Sequence, residues 1–316
     1  MTTEITVNQH VVPRLWLQWF SWNQNQTSTY VYDKIEGNAI GPKNLMKVAV
    51  HDNFYDFHPD ILKELMDNGA LSEGQNQYVE KQFFAYGIEQ KFGPLLKNVL
   101  ESLDSNTTKE NMISEVNRQA LSVQLSVQFF RTTQLRKCIT RILSFIDKYA
   151  KEKSIEDFEV DAIKEKEIYH YMLMSSSETL VNFASNLYNR TWIIYKTTNS
   201  DPFVISDNPI VVQGSQSRNS ICIPLSKNYL IAAHSFTDRD GSVNNSLIDA
   251  SPSTVRTFNN LQYSQCDEGV FSSKNDFEWI NKTSFSSRNA GFSFDLSDEV
   301  LEPFVRSLVE KKIQEN

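Results

Sequence analysis

The chain of 316 residues carries 31 basic and 39 acidic side chains, a net charge of -8, with 40% hydrophobic and 12% aromatic content. Such a composition supports a large core and excludes a general cationic field, so any nucleic-acid contact has to come from a local patch. Cys138, Cys222 and Cys266 are widely spaced and form no C-x-x-C pair, which fits buried thiols in a reduced compartment and gives no zinc signature.

The first nine residues have neither a basic region nor an apolar run, and no stretch approaches the roughly 18 apolar residues of a membrane span. A cytoplasmic protein without a membrane partner is expected. His10 to Ser21 reads as a short helix with Pro13 in its first turn. Ser28 to Lys34 and Asn44 to Val50 read as strands around a turn at Glu36-Gly37-Asn38. Helical periodicity then fills Gln77 to Ser102, with Gly93-Pro94 expected to kink or break it, Lys109 to Ala150, and Ile155 to Tyr188.

From Thr191 the pattern changes to short β-branched runs: Trp192 to Lys196, Phe203 to Ile205, Ile210 to Val212, Ile221 to Leu225 and Tyr229 to Ala233. A last helix over Ser253 to Cys266 and a strand over Gly269 to Ser272 follow. Strands, helices, then strands predict an α+β fold: a mixed sheet from the N-terminal hairpin and the C-terminal strands, with a mostly helical block. No linker is visible, so residues 1-316 are expected to form one domain, with the helical block at about 59-190 inserted between strand regions 28-50 and 192-273.

The stretch from Gln124 to Arg136 is the most unusual. On a helix, Gln124, Gln128 and Arg131 share a narrow arc flanked by Val123, Val127 and Phe130 on one side and Leu121, Leu125 and Phe129 on the other. Ser122, Ser126 and Thr133 lie opposite and are expected to face solvent. Two amides and a guanidinium therefore point inward, where each needs a partner. Asp207, in Ser206-Asp207-Asn208-Pro209, is one candidate partner for Arg131, although Asx-turn chemistry accounts for the same four residues.

His10 suits proton transfer, or it hydrogen-bonds the nearby backbone. Arg14, four residues on, could join Arg131 in an anion site. Glu80 and Glu89 are nine residues apart, half a turn out of phase on a regular helix, so they are not expected to share a face, and no dedicated metal is expected. His170 reads as a satisfied core residue. Arg136, Lys137 and Arg141 extend the basic run along a helix and are expected to face water. The absence of a phosphate-cradling glycine loop or dinucleotide fingerprint predicts no cofactor.

In order along the chain stand His10-Val-Val-Pro13, Val31-Tyr32-Asp33, Asn53-Phe54-Tyr55, Glu80 with Glu89, Gln128-Phe-Phe-Arg131-Thr132, Ser206 to Pro209, Pro224-Leu225-Ser226, and Asn259 or Asn260. This order resembles the largely bacterial domain-of-unknown-function family DUF4238 across about His10 to Ser273. The resemblance implies which positions to inspect and no reaction. A proline common after the Arg-Thr pair is Thr133 here, so a sharp helix break at that point is not required.

Three roles follow. In the first, a hydrolase acts on a phosphodiester or nucleotide, with His10 as acid or base, Arg131 stabilising charge, Gln128 orienting substrate and Asp207 fixing Arg131 or the histidine. Arg14, Asn208 and Gln124 would bind substrate. In the second, the stripe belongs to a non-catalytic module that recognises a small anion, a peptide or a partner protein, in a defence or toxin system. In the third, it only specifies packing.

Overall fold

The N-terminal segment already departs from the helix expected there. In the computed structural model, which describes residues 8-70, 79-153, 160-197, 201-214, 219-236, 243-280, 301-303 and 305-307, β1 (Asn8–His10) precedes α1 (Arg14–Leu17) and a 3-10 turn at Gln18–Phe20. Pro13 is the N-cap of α1 rather than a member of its first turn. Next come β2 (Ser28–Asp33), β3 (Asn38–Asn44), β4 (Val50–Asp52) and α2 (Pro59–Asp67). β1 pairs antiparallel with β4, His10 opposite Val50.

The second hairpin strand begins six residues earlier than expected. Asp33 accepts hydrogen bonds from the amides of Ile35 and Glu36, and Gly37 at φ +70° completes the turn, so pairing resumes at Asn38. The apolar signal of Leu45 is spent instead in a 3-10 turn, Leu45–Lys47.

The helical block contains a π-helix at Val79–Glu89, α3 (Gln90–Ser105), α4 (Glu115–Phe130), α5 (Thr133–Glu152), α6 (Ala162–Ser175) and α7 (Ser177–Tyr188). Pro94 sits inside α3 without ending it; the irregularity lies just upstream, where the helix changes from π to α at Glu89 and Gln90. The expected single helix across 109-150 is two. Thr132 caps α5 by accepting from the Leu135 amide, so the break after Arg131 exists without a proline. Part of the helix expected from Ile155, residues 155-159, lies outside the described residues.

The C-terminal part supplies β5 (Thr191–Thr197), β6 (Ile205–Ser206), β7 (Val211–Gly214), β8 (Asn219–Pro224), β9 (Tyr229–His234), β10 (Ser246–Ala250), α8 (Pro252–Gln265) and β11 (Gly269–Ser272). The hairpin joins C-terminal strands, as expected, in a four-stranded sheet ordered β3-β2-β11-β6. The remaining strands form a separate mixed sheet, β10-β5-β9-β8-β7, in which only the β10-β5 pair is parallel. The fold is α+β, with two larger sheets where one was expected.

The largest hydrophobic cluster joins α1, α3 and α4 to the five-stranded sheet. Trp16 anchors it: its ring meets Phe92 edge-on at 5.3 Å, and its Nε1 donates to Pro224 O at 3.0 Å. A second device is polar. Three residues apart along α8, Asn259, Gln262 and Gln265 bond the backbone of residues 202-212. Their side-chain amides replace a neighbouring strand for a segment that is only briefly β, which satisfies its buried peptide groups.

Candidate functional site

Arg131 is 1% exposed and lies at the junction of α4 and α5. Its Nε and one terminal nitrogen donate to His10 O at 3.1 and 2.6 Å, Nε also reaches Tyr55 Oη at 3.1 Å, and the other terminal nitrogen meets Glu89 Oε1 at 2.7 Å. Phe84 covers the guanidinium at 3.9 Å from ring centroid. Tyr55 Oη in turn donates to Arg131 O at 3.1 Å. Four segments (β1, the loop after β4, the π-helix and the α4-α5 junction) are thereby tied to one side chain.

The glutamates come together because their helix is not regular. A π-helix takes roughly one residue more per turn than the 3.6 of an α-helix. Nine residues then make close to two full turns, and both Glu80 and Glu89 act electrostatically on Arg131. Burial pushes the Glu80 carboxyl up to about 7, with Glu89 and Asp56 adding to the rise and Arg131 opposing it. Its Oε2 is buried with no hydrogen-bond partner among the described residues. Burial alone would lower the Arg131 pKa; Tyr55, Glu89 and Glu80 more than reverse this and fix it as a cation.

The expected partnership of Arg131 with Asp207 is replaced by this one. Asp207 is also buried, but it accepts from the amides of Asp267, Glu268 and Gly269 at 2.9, 2.5 and 3.3 Å. Burial holds its carboxyl up at about 7 against the pull of those donors. Asn208 serves the same turn, donating to Gln265 O and to Gln134 Oε1.

Gln128 donates to Val11 O at 2.8 Å. The His10 imidazole faces Leu45 O at 3.1 Å, and burial lowers its pKa. Arg14 is exposed and directed at Met46 Sδ, away from Arg131's partners. Gln124 is buried with Oε1 unpartnered, so Gln124→Met is expected to leave stability unchanged or raise it by up to about 1 kcal/mol in chemical denaturation.

Inward burial of Gln124, Gln128 and Arg131 matches the periodicity, whereas the hydroxyl face does not turn to solvent. Ser122, Ser126 and Thr133 are buried, and Val123 is exposed instead. Ser122 and Ser126 donate back to Arg118 O and Val123 O within their own helix. Satisfied in this way, small hydroxyls allow close packing.

Solvent reaches a different surface. Thr133, Arg136, Lys137, Thr140, Arg141 and Ser144 form one stripe of α5 with spacings of three and one. They line an open cleft of about 580 Å³ together with Lys166 of α6, His51 of β4, Phe54 just after it, and Asp267 and Glu268. Arg136 lies over Phe54 at 3.8 Å, donates to Phe54 O, and reaches His170 Nδ1 at 3.1 Å. His170 Nε2 meets Phe130 O at 2.6 Å, and burial beside Arg136 lowers its pKa to about 3. It is the satisfied core histidine expected.

At the acidic lip, Asp267 accepts from Thr133 Oγ1 at 2.5 Å and pairs with Lys137 at 3.0 Å. Asp207 fixes that lip through the backbone, and Tyr55 and Phe54 link the Arg131 cluster to the opposite wall. None of the expected site residues lines the cleft; Asp207 and Arg131 support its walls from behind. Its own residues were visible only as a basic run, because the surfaces facing α5 come from distant parts of the chain. Among the described residues no group of three or more His, Cys, Asp or Glu side chains could hold a metal ion.

The family model for proteins of unknown function, DUF4238, matches residues 8–276. The chain belongs to this family. No curated protein and no solved structure matches it.

Proposed function

We propose that this protein binds a phosphate-bearing ligand, a nucleotide or phosphodiester, in the cleft along α5. One observation carries the reading: in a chain of net charge -8, four cations and three hydroxyls line a single open cleft, against two carboxylates. Such donors at helical spacing suit an extended anion with several oxygens. Burial lowers the Arg136 pKa to about 10, which leaves it charged at neutral pH.

Binding rather than hydrolysis is the function this arrangement supports best. The groups expected to do chemistry, His10, Gln128, Arg131 and Asp207, spend their polar atoms on the protein's own backbone and side chains. Three buried free cysteines support a reducing, cytoplasmic setting. Among the described residues no helix is long and apolar enough to cross a membrane.

Isothermal titration with pyrophosphate, ATP and a short RNA tests the reading. At least one should bind, with affinity falling as salt rises, and the double variant Lys137→Gln/Arg141→Gln should lose about tenfold or more. Failure of all three probes, or an unchanged affinity in the variant, would remove the cleft as the site. Sustained phosphate release would restore the hydrolase.

A further inference from the structure

Two carboxylates stand at the acidic lip of the α5 cleft, and they are not alike. Asp267 has both oxygens occupied: Oδ2 accepts from Thr133 Oγ1 at 2.5 Å and Oδ1 meets Lys137 Nζ at 3.0 Å. The Glu268 side chain is 54% exposed, and its Oε1 lies 3.8 Å from His51 Nδ1, beyond hydrogen-bond reach. Its backbone is nonetheless held from both sides, the amide donating to Asp207 Oδ2 and the carbonyl accepting from the Lys34 amide at 2.7 Å. A fixed main chain therefore presents an open carboxylate to the cleft.

The wall beside Glu268 is planar. His51 and Phe54 both line the cleft with ring centroids 5.4 Å apart and planes 34° from parallel, and the Arg136 guanidinium lies 3.8 Å from the Phe54 centroid. Phe54 also meets Tyr55 and His170 edge-on, and Arg136 is tied to Phe54 O and His170 Nδ1, so the wall is braced before a ligand arrives. Aromatic rings and guanidinium planes are surfaces on which unpaired nucleobases stack.

An open carboxylate repels a ligand that is phosphate throughout, and the four cations of the cleft repel an amine. A molecule with an anionic end and a neutral, hydrogen-bond-donating end satisfies both. We infer that the cleft selects a guanine nucleotide, an assignment that rests on the phosphate binding proposed for α5. The base lies against His51 and Phe54, Glu268 accepts from its N1–H and N2–H, and the phosphate meets Lys137 and Arg141. Guanine offers two donor groups side by side on its Watson–Crick edge, matching the two carboxylate oxygens, whereas adenine, cytosine and uracil each offer one there. Along α5, Thr133 beside the lip and Arg141 are about 12 Å apart, which places base, sugar and phosphate in a row.

Isothermal titration of the full chain with GMP, AMP, CMP, UMP and pyrophosphate tests this. GMP should bind at least about tenfold more tightly than the other three nucleotides. In Glu268→Gln, an exposed change that keeps both backbone bonds, GMP should weaken by about tenfold while AMP and pyrophosphate tighten, because a like charge has left the lip. A carboxylate that only repels anions would instead let every ligand tighten together, GMP included. That result, a preference for another base, or four nucleotides within about threefold of one another in the wild-type chain would overturn the guanine assignment. Pyrophosphate keeps the two readings apart: its binding without a guanine preference removes guanine alone, and failure of pyrophosphate, ATP and RNA together removes the cleft and guanine with it.

Discussion

Replacing Arg131 with alanine is expected to cost about 3–5 kcal/mol of folding stability, the range for breaking a buried ion pair from one side. The variant strips Glu89 of its 2.7 Å partner and leaves Glu80 with no nearby guanidinium. His10 O loses two donors, which loosens β1 from the α4-α5 junction. Arg131→Met restores much of the volume over Phe84 but none of the donors, so it should remain strongly destabilised. Adding Glu89→Gln removes the stranded charge, and the double variant should be more stable than the two single losses sum to, by about 1 kcal/mol or more. Urea denaturation of the four proteins measures this. If Arg131→Ala unfolded at the wild-type midpoint yet lost nucleotide or pyrophosphate binding, the cluster would be a ligand site and not a frame.

The same cluster shows how far the sequence could be read. Periodicity placed Gln124, Gln128 and Arg131 on the inward arc because α4 is a regular helix, and amphipathic spacing is a local property. It failed for Glu80 and Glu89 because the angle between them depends on helix type, which the apolar pattern of 79-89 does not disclose. Asp207 reads either as a partner for Arg131 or as the carboxylate of a local Asx-turn, and the backbone it holds is neither: it is that of Asp267 to Gly269, about 60 residues away. Nothing local encodes that distance. The α5 stripe is a similar case: its charges are plain in the sequence, but a row of cations facing a cleft and one facing bulk water have the same spacing. The missed strand β10 has a parallel partner in β5 and buries only Leu247 and Ala250 of its five residues, so its apolar signal is short.

A carboxyl held near 7 also makes stability depend on pH. The Glu80 pKa moves from its ordinary 4.5 to about 7 on folding, so the folded state binds the proton more tightly. Its contribution is fully present below about pH 4.5 and is lost as pH rises through 7. His170 acts in the opposite direction: its pKa falls from 6.5 to about 3, so its contribution is present above pH 6.5 and is lost as pH falls toward 3. Between pH 4.5 and 6.5 the two slopes oppose each other, and the wild-type curve alone hides both. The difference between Glu80→Gln and wild type isolates one of them, since every other titrating group is shared. That difference should grow in favour of the variant by roughly 3 kcal/mol between pH 4.5 and 8. Denaturation curves at half-unit pH steps would show it. A constant offset across the range would mean that Glu80 keeps its ordinary pKa in the folded protein and that water or a neighbouring donor reaches the oxygen buried beside Arg131.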